Sequence, residues 1–144
     1  MSFWEMNTLV LALGSIVGGF FYFSIITWQS LAAGSLVAPS LAVWLGYIAI
    51  QLCVSMLGIW PGARKLKNDP ENTAPADGDE RDRLIRMKSE GLQGHTMSAL
   101  IFVCMAAWFL HSSAALLFHS LVAALILSEL ARAGWQLFNY NRAI

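Results

Sequence analysis

Residues 8–28 read TLVLALGSIVGGFFYFSIITW, a run without one charged side chain. At 1.5 Å of rise per residue, a helix over this run extends roughly 30 Å, the thickness of a bilayer's hydrocarbon core. Three further stretches, 41–60, 92–110 and 113–135, are also apolar over most of a membrane's depth. The chain is 57% hydrophobic and 12% charged, with a mean hydropathy of +0.57, too apolar for an ordinary soluble domain of 144 residues. The expected fold is all-α: one transmembrane domain over residues 1–144, built as an antiparallel four-helix bundle.

Charge placement orients these spans. Arg64, Lys65, Lys67, Arg81, Arg83, Arg86 and Lys88 lie between the second and third stretches, and Arg132 and Arg142 lie at the end of the fourth. The other two connections carry no cation. The positive-inside rule then places both termini and the central segment 61–91 in the cytoplasm, and the protein in the inner, cytoplasmic membrane. Tryptophan, whose ring favours the headgroup level, agrees: Trp4, Trp60 and Trp135 mark one face, and Trp28, Trp44 and Trp108 the other. Surrounding lipid is therefore an expected partner, and nothing in the charge pattern suggests nucleic acid.

The connections follow from local chemistry. Gln29 to Ser40 is uncharged and apolar enough to lie in the outer interface, Pro61 and Gly62 are expected to stop the second span, and His111 with Ser112 leaves room only for a tight helical hairpin. Within 61–91, Pro61, Pro70 and Pro75 suggest a loop through Asp77. A charged amphipathic helix then begins, capped by Asp77 or Asp79, with Asp79 and Arg83, and Asp82 and Arg86, spaced for i,i+4 pairing. It should lead into the third span with a bend near Gly91 and Gly94.

Candidate sites are few. Gly14 and Gly18 form a GxxxG step, and Ser120, Ala124 and Ser128 form a second smooth face; each suits close helix packing, within one bundle or across a dimer. Glu129 is the one acidic residue inside a span, near its cytoplasmic boundary, with Arg132 three residues on. An ion pair joining these two to the Arg83 or Arg86 region is expected. Together with Asp79, Glu80, Arg81, Asp82 and Arg83, they would form a cytoplasmic charge network.

His95, His111 and His119 fall at different depths, which argues against a metal or haem centre, and His119 is expected to bond across helices to Gln51, Ser55 or Thr27. The acidic run Asp77, Asp79, Glu80 and Asp82 does not fit a calcium loop. Cys53 and Cys104 lie inside spans as packing residues. No phosphate loop, serine elbow, CxxC or HExxH pattern occurs, so no catalytic residue, metal or cofactor is assigned and an enzyme is not expected.

The segment Asp79-Glu80-Arg81-Asp82-Arg83-Leu84-Ile85, with Ser128-Glu129-Leu130 and the tail Gln136 to Arg142, resembles a family of small bacterial and archaeal membrane proteins. The resemblance implies a four-helix membrane fold with the Asp-Glu-Arg-Asp segment in the cytoplasm, and it brings no established activity, ligand or catalytic residue. The expected role is a non-catalytic membrane component that forms a homo-oligomer, a dimer first of all, or serves a larger membrane assembly as an accessory or regulatory part. The alternative is a small oligomeric transporter or channel using Glu129 or His119.

Overall fold

The computed structural model describes residues 3–68 and 80–142, with side chains over 6–57, 80–140 and 142. The described residues form four helices and no strand: α1 (Phe3–Ala33), α2 (Leu41–Asn68), α3 (Glu80–His111) and α4 (Ala114–Asn141). Three of them, over Met6–Ala33, Glu80–His111 and Ala114–Tyr140, are long and apolar enough to cross a membrane. The apolar part of α2, Leu41–Leu57, is shorter.

Local chemistry sets the helix ends. Gly34, at φ +66°, takes the left-handed conformation that closes α1, and its N–H donates to Leu31 O at 3.4 Å. Ser40 opens α2 by accepting the Val43 N–H at 3.4 Å, and Ser113 caps α4 by accepting the Leu116 N–H at 3.3 Å. Between α3 and α4 only Ser112 and Ser113 remain, with Ser112 at φ 51° turning the chain.

Several boundaries differ from the sequence expectation: α1 runs on to Ala33, into the connection expected from Gln29, and α4 to Asn141, past the expected end at 135. The second helix does not stop at Pro61-Gly62 but continues to Asn68. Proline removes one helical hydrogen bond without forbidding the next turn, and Ala63, Arg64, Lys65, Leu66 and Lys67 are strong helix formers. The charged helix before the third span and the span itself are one helix of 32 residues, unbroken at Gly91 and Gly94. The expected loop through 61–91 thus shrinks at both ends, and its remaining proline and Asp77 or Asp79 capping assignments lie outside the described residues. So do the side chains of Trp4, Trp60, Arg64, Lys65 and Lys67.

The helices pack through one stripe of α1. Thr8, Ser15, Tyr22 and Ile26 are buried, with Gly14, Gly18 and Gly19 on the same side, at the three- and four-residue spacing of a helix face. A β-carbon on Gly14 would lie 2.3 Å from Val54 Cγ1, while one on Gly18 would lie 3.4 Å from Tyr47 and one on Gly19 2.8 Å from Ile126 Cδ1. The GxxxG step is therefore spent inside the chain, holding α1 against α2, and its neighbour Gly19 admits α4. Tyr22, Ile26, Val43, Tyr47, Val122 and Ile126 form the buried cluster that results. Residue numbers rise along α1 as those of its contacts on α2 and α4 fall. Helix α3 packs mainly on α4.

The two glycines of the step differ in clearance, so they should differ in tolerance. Gly14→Ala is expected to lower stability by about 1–3 kcal/mol through overpacking, whereas Gly18→Ala should be nearly neutral. Val54→Ala in the Gly14→Ala background should recover much of the loss. Thermal unfolding of the three variants in one detergent checks the order.

Candidate functional site

Where Ser15 of α1, Gln51 and Ser55 of α2, Gln93 of α3 and Ser128, Glu129 and Arg132 of α4 converge, a polar chamber of about 590 Å³ opens among all four helices. Its wall is ordered by a charge pair. Arg132 Nε donates to Glu129 Oε2 at 3.2 Å while its Nη2 donates to Oε1, a bidentate contact between residues three apart on one helix. Gln93 Nε2 donates to the same Oε2 at 2.8 Å, and Arg132 Nη1 reaches Gln136 Oε1 at 3.3 Å. The guanidinium has no acceptor and an ionised carboxylate no donor, so both glutamine amides can be oriented only this way.

Burial explains why the pair needs two further partners, Gln93 and Gln136. The side chains of Arg132 and Glu129 retain 13% and 20% of their exposure, and an uncompensated charge at that depth is costly. Gln136, itself buried, contributes neutral hydrogen bonding without adding another charge. The α3 partner of Glu129 is Gln93, two turns along α3 from Arg86, in place of the Arg83 or Arg86 side chains that the sequence suggested. Arg86 lies 3.8 Å from Glu90 on its own helix.

Within the chamber the serines divide. Ser55 donates to Gln51 O at 2.8 Å and Ser128 to Leu125 O at 2.9 Å, the usual back-bonding of a helical hydroxyl. Ser15 is 4% exposed and its hydroxyl has no hydrogen-bond partner among the described residues. Nearby, Gln51 spends one N–H on a long 3.4 Å contact with Tyr47 Oη. The chamber therefore presents neutral donors and acceptors beside a self-neutralised ion pair.

At the other end of the bundle His119 has a different task. Its Nε2 lies 2.9 Å from Val37 O and its Nδ1 2.8 Å from Tyr22 Oη. A carbonyl can only accept, so Nε2 carries the proton and Nδ1 accepts the phenol's hydrogen. The partners are Tyr22 and the α1–α2 connection, in place of Gln51, Ser55 or Thr27. The ring sits among Tyr22 and Phe118, with Trp44 stacked on Tyr47 beside them, so both imidazole nitrogens are committed to structure.

A third feature is the open face of α3. Ser89 and Cys104 are its buried residues, both on the side that carries Gln93. Gly91, Gly94, His95 and Ser98 form an exposed strip on the opposite side, and a β-carbon on either glycine would meet nothing within 4 Å. Further along the same side stand Phe102, Met105 and Phe109, all exposed. One half of this face is thus smooth and polar, the other bulky and apolar.

Of the other anticipated residues, Ala124 and Ser128 are buried, and Ser120 donates to Leu117 O at 2.9 Å. Glu80, Arg81 and Arg83 are exposed and Asp82 is half-buried; Asp79 lies outside the described residues. Among the described residues no three His, Cys, Asp or Glu side chains gather as a metal site. Sequence reasoning missed Tyr22, Gln93 and Gln136. An uncharged polar residue in an apolar helix was the available signal, but its partner lies on another helix. Compared with known protein families, curated proteins and solved structures, the chain matches none.

Removing one member of the ion pair should cost more than removing both. Glu129→Leu alone is expected to destabilise by about 1–3 kcal/mol, leaving Arg132 uncompensated, and Glu129→Leu with Arg132→Leu by less. Unfolding temperatures of the single and double variants provide the comparison.

Proposed function

We propose that the protein is a non-catalytic, multi-pass component of the inner membrane, an antiparallel four-helix bundle with both termini in the cytoplasm, that works by association through the open face of α3. The observation that carries this reading is the strip Gly91, Gly94, His95 and Ser98, exposed on a helix apolar enough to span. Small residues at three- and four-residue spacing let a second helix approach closely, and His95 brings a polar ring that hydrocarbon would leave unsatisfied, while the Ser98 hydroxyl is already spent on Gly94 O at 2.9 Å. Gly14 and Gly18, the other such step, are already filled by α2. A second copy offering the same strip is the simplest occupant, since a two-fold interface is self-complementary; a larger membrane assembly using the same face is the variant of this reading.

The test is mutational. Gly94→Leu with Ser98→Leu should convert the oligomer to monomer, measured as mass in detergent and as cross-linking in native membranes, without lowering the unfolding temperature. An unchanged mass and cross-linking pattern sinks the proposal.

The chamber supports a second reading, a small oligomeric transporter. Polar groups from all four helices and the unpartnered Ser15 hydroxyl are the features that favour it. Its carrier residue is Glu129, because His119 already uses both ring nitrogens. Solute flux in proteoliposomes that falls at least about tenfold in Glu129→Gln would support it; no flux from the wild-type protein would end it.

A further inference from the structure

Beside the last turns of α4 lies a groove that neither reading uses. It is a cleft of about 220 Å³ between α3 and α4, lined by Arg81, Leu84, Lys88, Trp135, Asn139 and Arg142. Arg81 and Lys88 stand seven residues apart, two turns along one face of α3, and Trp135 and Arg142 stand likewise on α4. Two helix faces thus aim three cations into one cleft.

Among the described residues the charge in this cleft has no carboxylate partner. Arg132 and Arg86 each have a carboxylate within ion-pair distance, whereas Arg81, Lys88 and Arg142 have none among the described residues. Arg142 instead rests its guanidinium over the Phe138 ring at 4.3 Å, which fixes its position while leaving its N–H groups to donate. The acidic residues of the same stretch do not fill the gap. Glu80 and Asp82 lie about 100° around the helix from Arg81, and Glu90 about 180°. Three clustered cations left in this way call for an anion.

The position says which anion. The cleft flanks the end of the apolar stretch Ala114–Tyr140, where a helix leaves hydrocarbon for headgroups, and Trp135 is 43% exposed there. Leu84, 51% exposed, supplies an apolar wall beside the cations. A ligand that is negative at one end and greasy at the other satisfies both surfaces. We propose that Arg81, Lys88 and Arg142 hold the phosphate of an anionic phospholipid in the groove between α3 and α4, with its acyl chains leaving along Leu84 and Trp135. A zwitterionic headgroup is disfavoured, because its ammonium would enter a field already set by three cations.

The test uses the full chain purified in a neutral maltoside detergent, titrated with dioctanoyl phosphatidylglycerol, dioctanoyl phosphatidylcholine or inorganic phosphate. Native mass spectrometry reads the bound lipid. Phosphatidylglycerol should be retained and phosphatidylcholine not, with affinity falling about fivefold for each of Arg81→Gln, Lys88→Gln and Arg142→Gln. Arg83→Gln, on another face of α3, should bind as the wild type does. Equal retention of the two lipids, or wild-type affinity in the triple variant, overturns the proposal. Inorganic phosphate displacing the lipid at equal concentration would assign the groove to the free ion and overturn the lipid source. Should the triple variant not fold, Lys88→Gln alone decides, since its exposed side chain makes no contact that the fold requires.

Discussion

The approach of α1 to α2 at Gly14 is the contact on which the rest of the bundle is arranged. Lipid tails are as apolar as leucine, so two membrane helices gain little by hiding greasy surface from each other and must gain instead from closeness. With no β-carbon at position 14, the α1 backbone lies directly against Val54. That registry sets Tyr47 beside Tyr22, at 5.8 Å between ring centres, and leaves the Tyr22 hydroxyl where His119 can reach it. Gly19 then gives Ile126 its place, and α4 is seated on the pair.

Two polar clusters complete α4, and they solve the same problem differently. His119 uses both ring nitrogens to join α1, α4 and the connection after α1, which fastens a segment that forms no helix of its own. Glu129 and Arg132 are charged, and they neutralise each other before Gln93 ties them to α3. In each case the side chains that meet across helices do so by hydrogen bonds. Ser15, on the chamber wall, makes no such bond among the described residues.

How far the chain could be read beforehand depended on the range of the interaction. Long uncharged runs made the helices legible, since hydropathy is a property of neighbours in sequence. The stop at Pro61 was misjudged because one missing hydrogen bond is a small cost against five good helix formers. The bond between Glu129 and Arg132 could be read because both sit on one helix. Gln93, Tyr22 and Val37 could not, since their partners are between 36 and 97 residues away and helix rotation decides which side chains meet. The use of Gly14 likewise depended on Val54, which only packing reveals.

The absence of a break in α3 has a mechanical consequence. Thirty-two helical residues measure roughly 48 Å, well beyond a hydrocarbon depth, so the charged Glu80 end is a stiff continuation of the apolar rod. A push or twist delivered at Arg81 is carried by the same rod to Gln93, whose amide grips Glu129. Whatever grasps the Glu80 end therefore holds a lever whose short arm reaches into the polar centre of the protein.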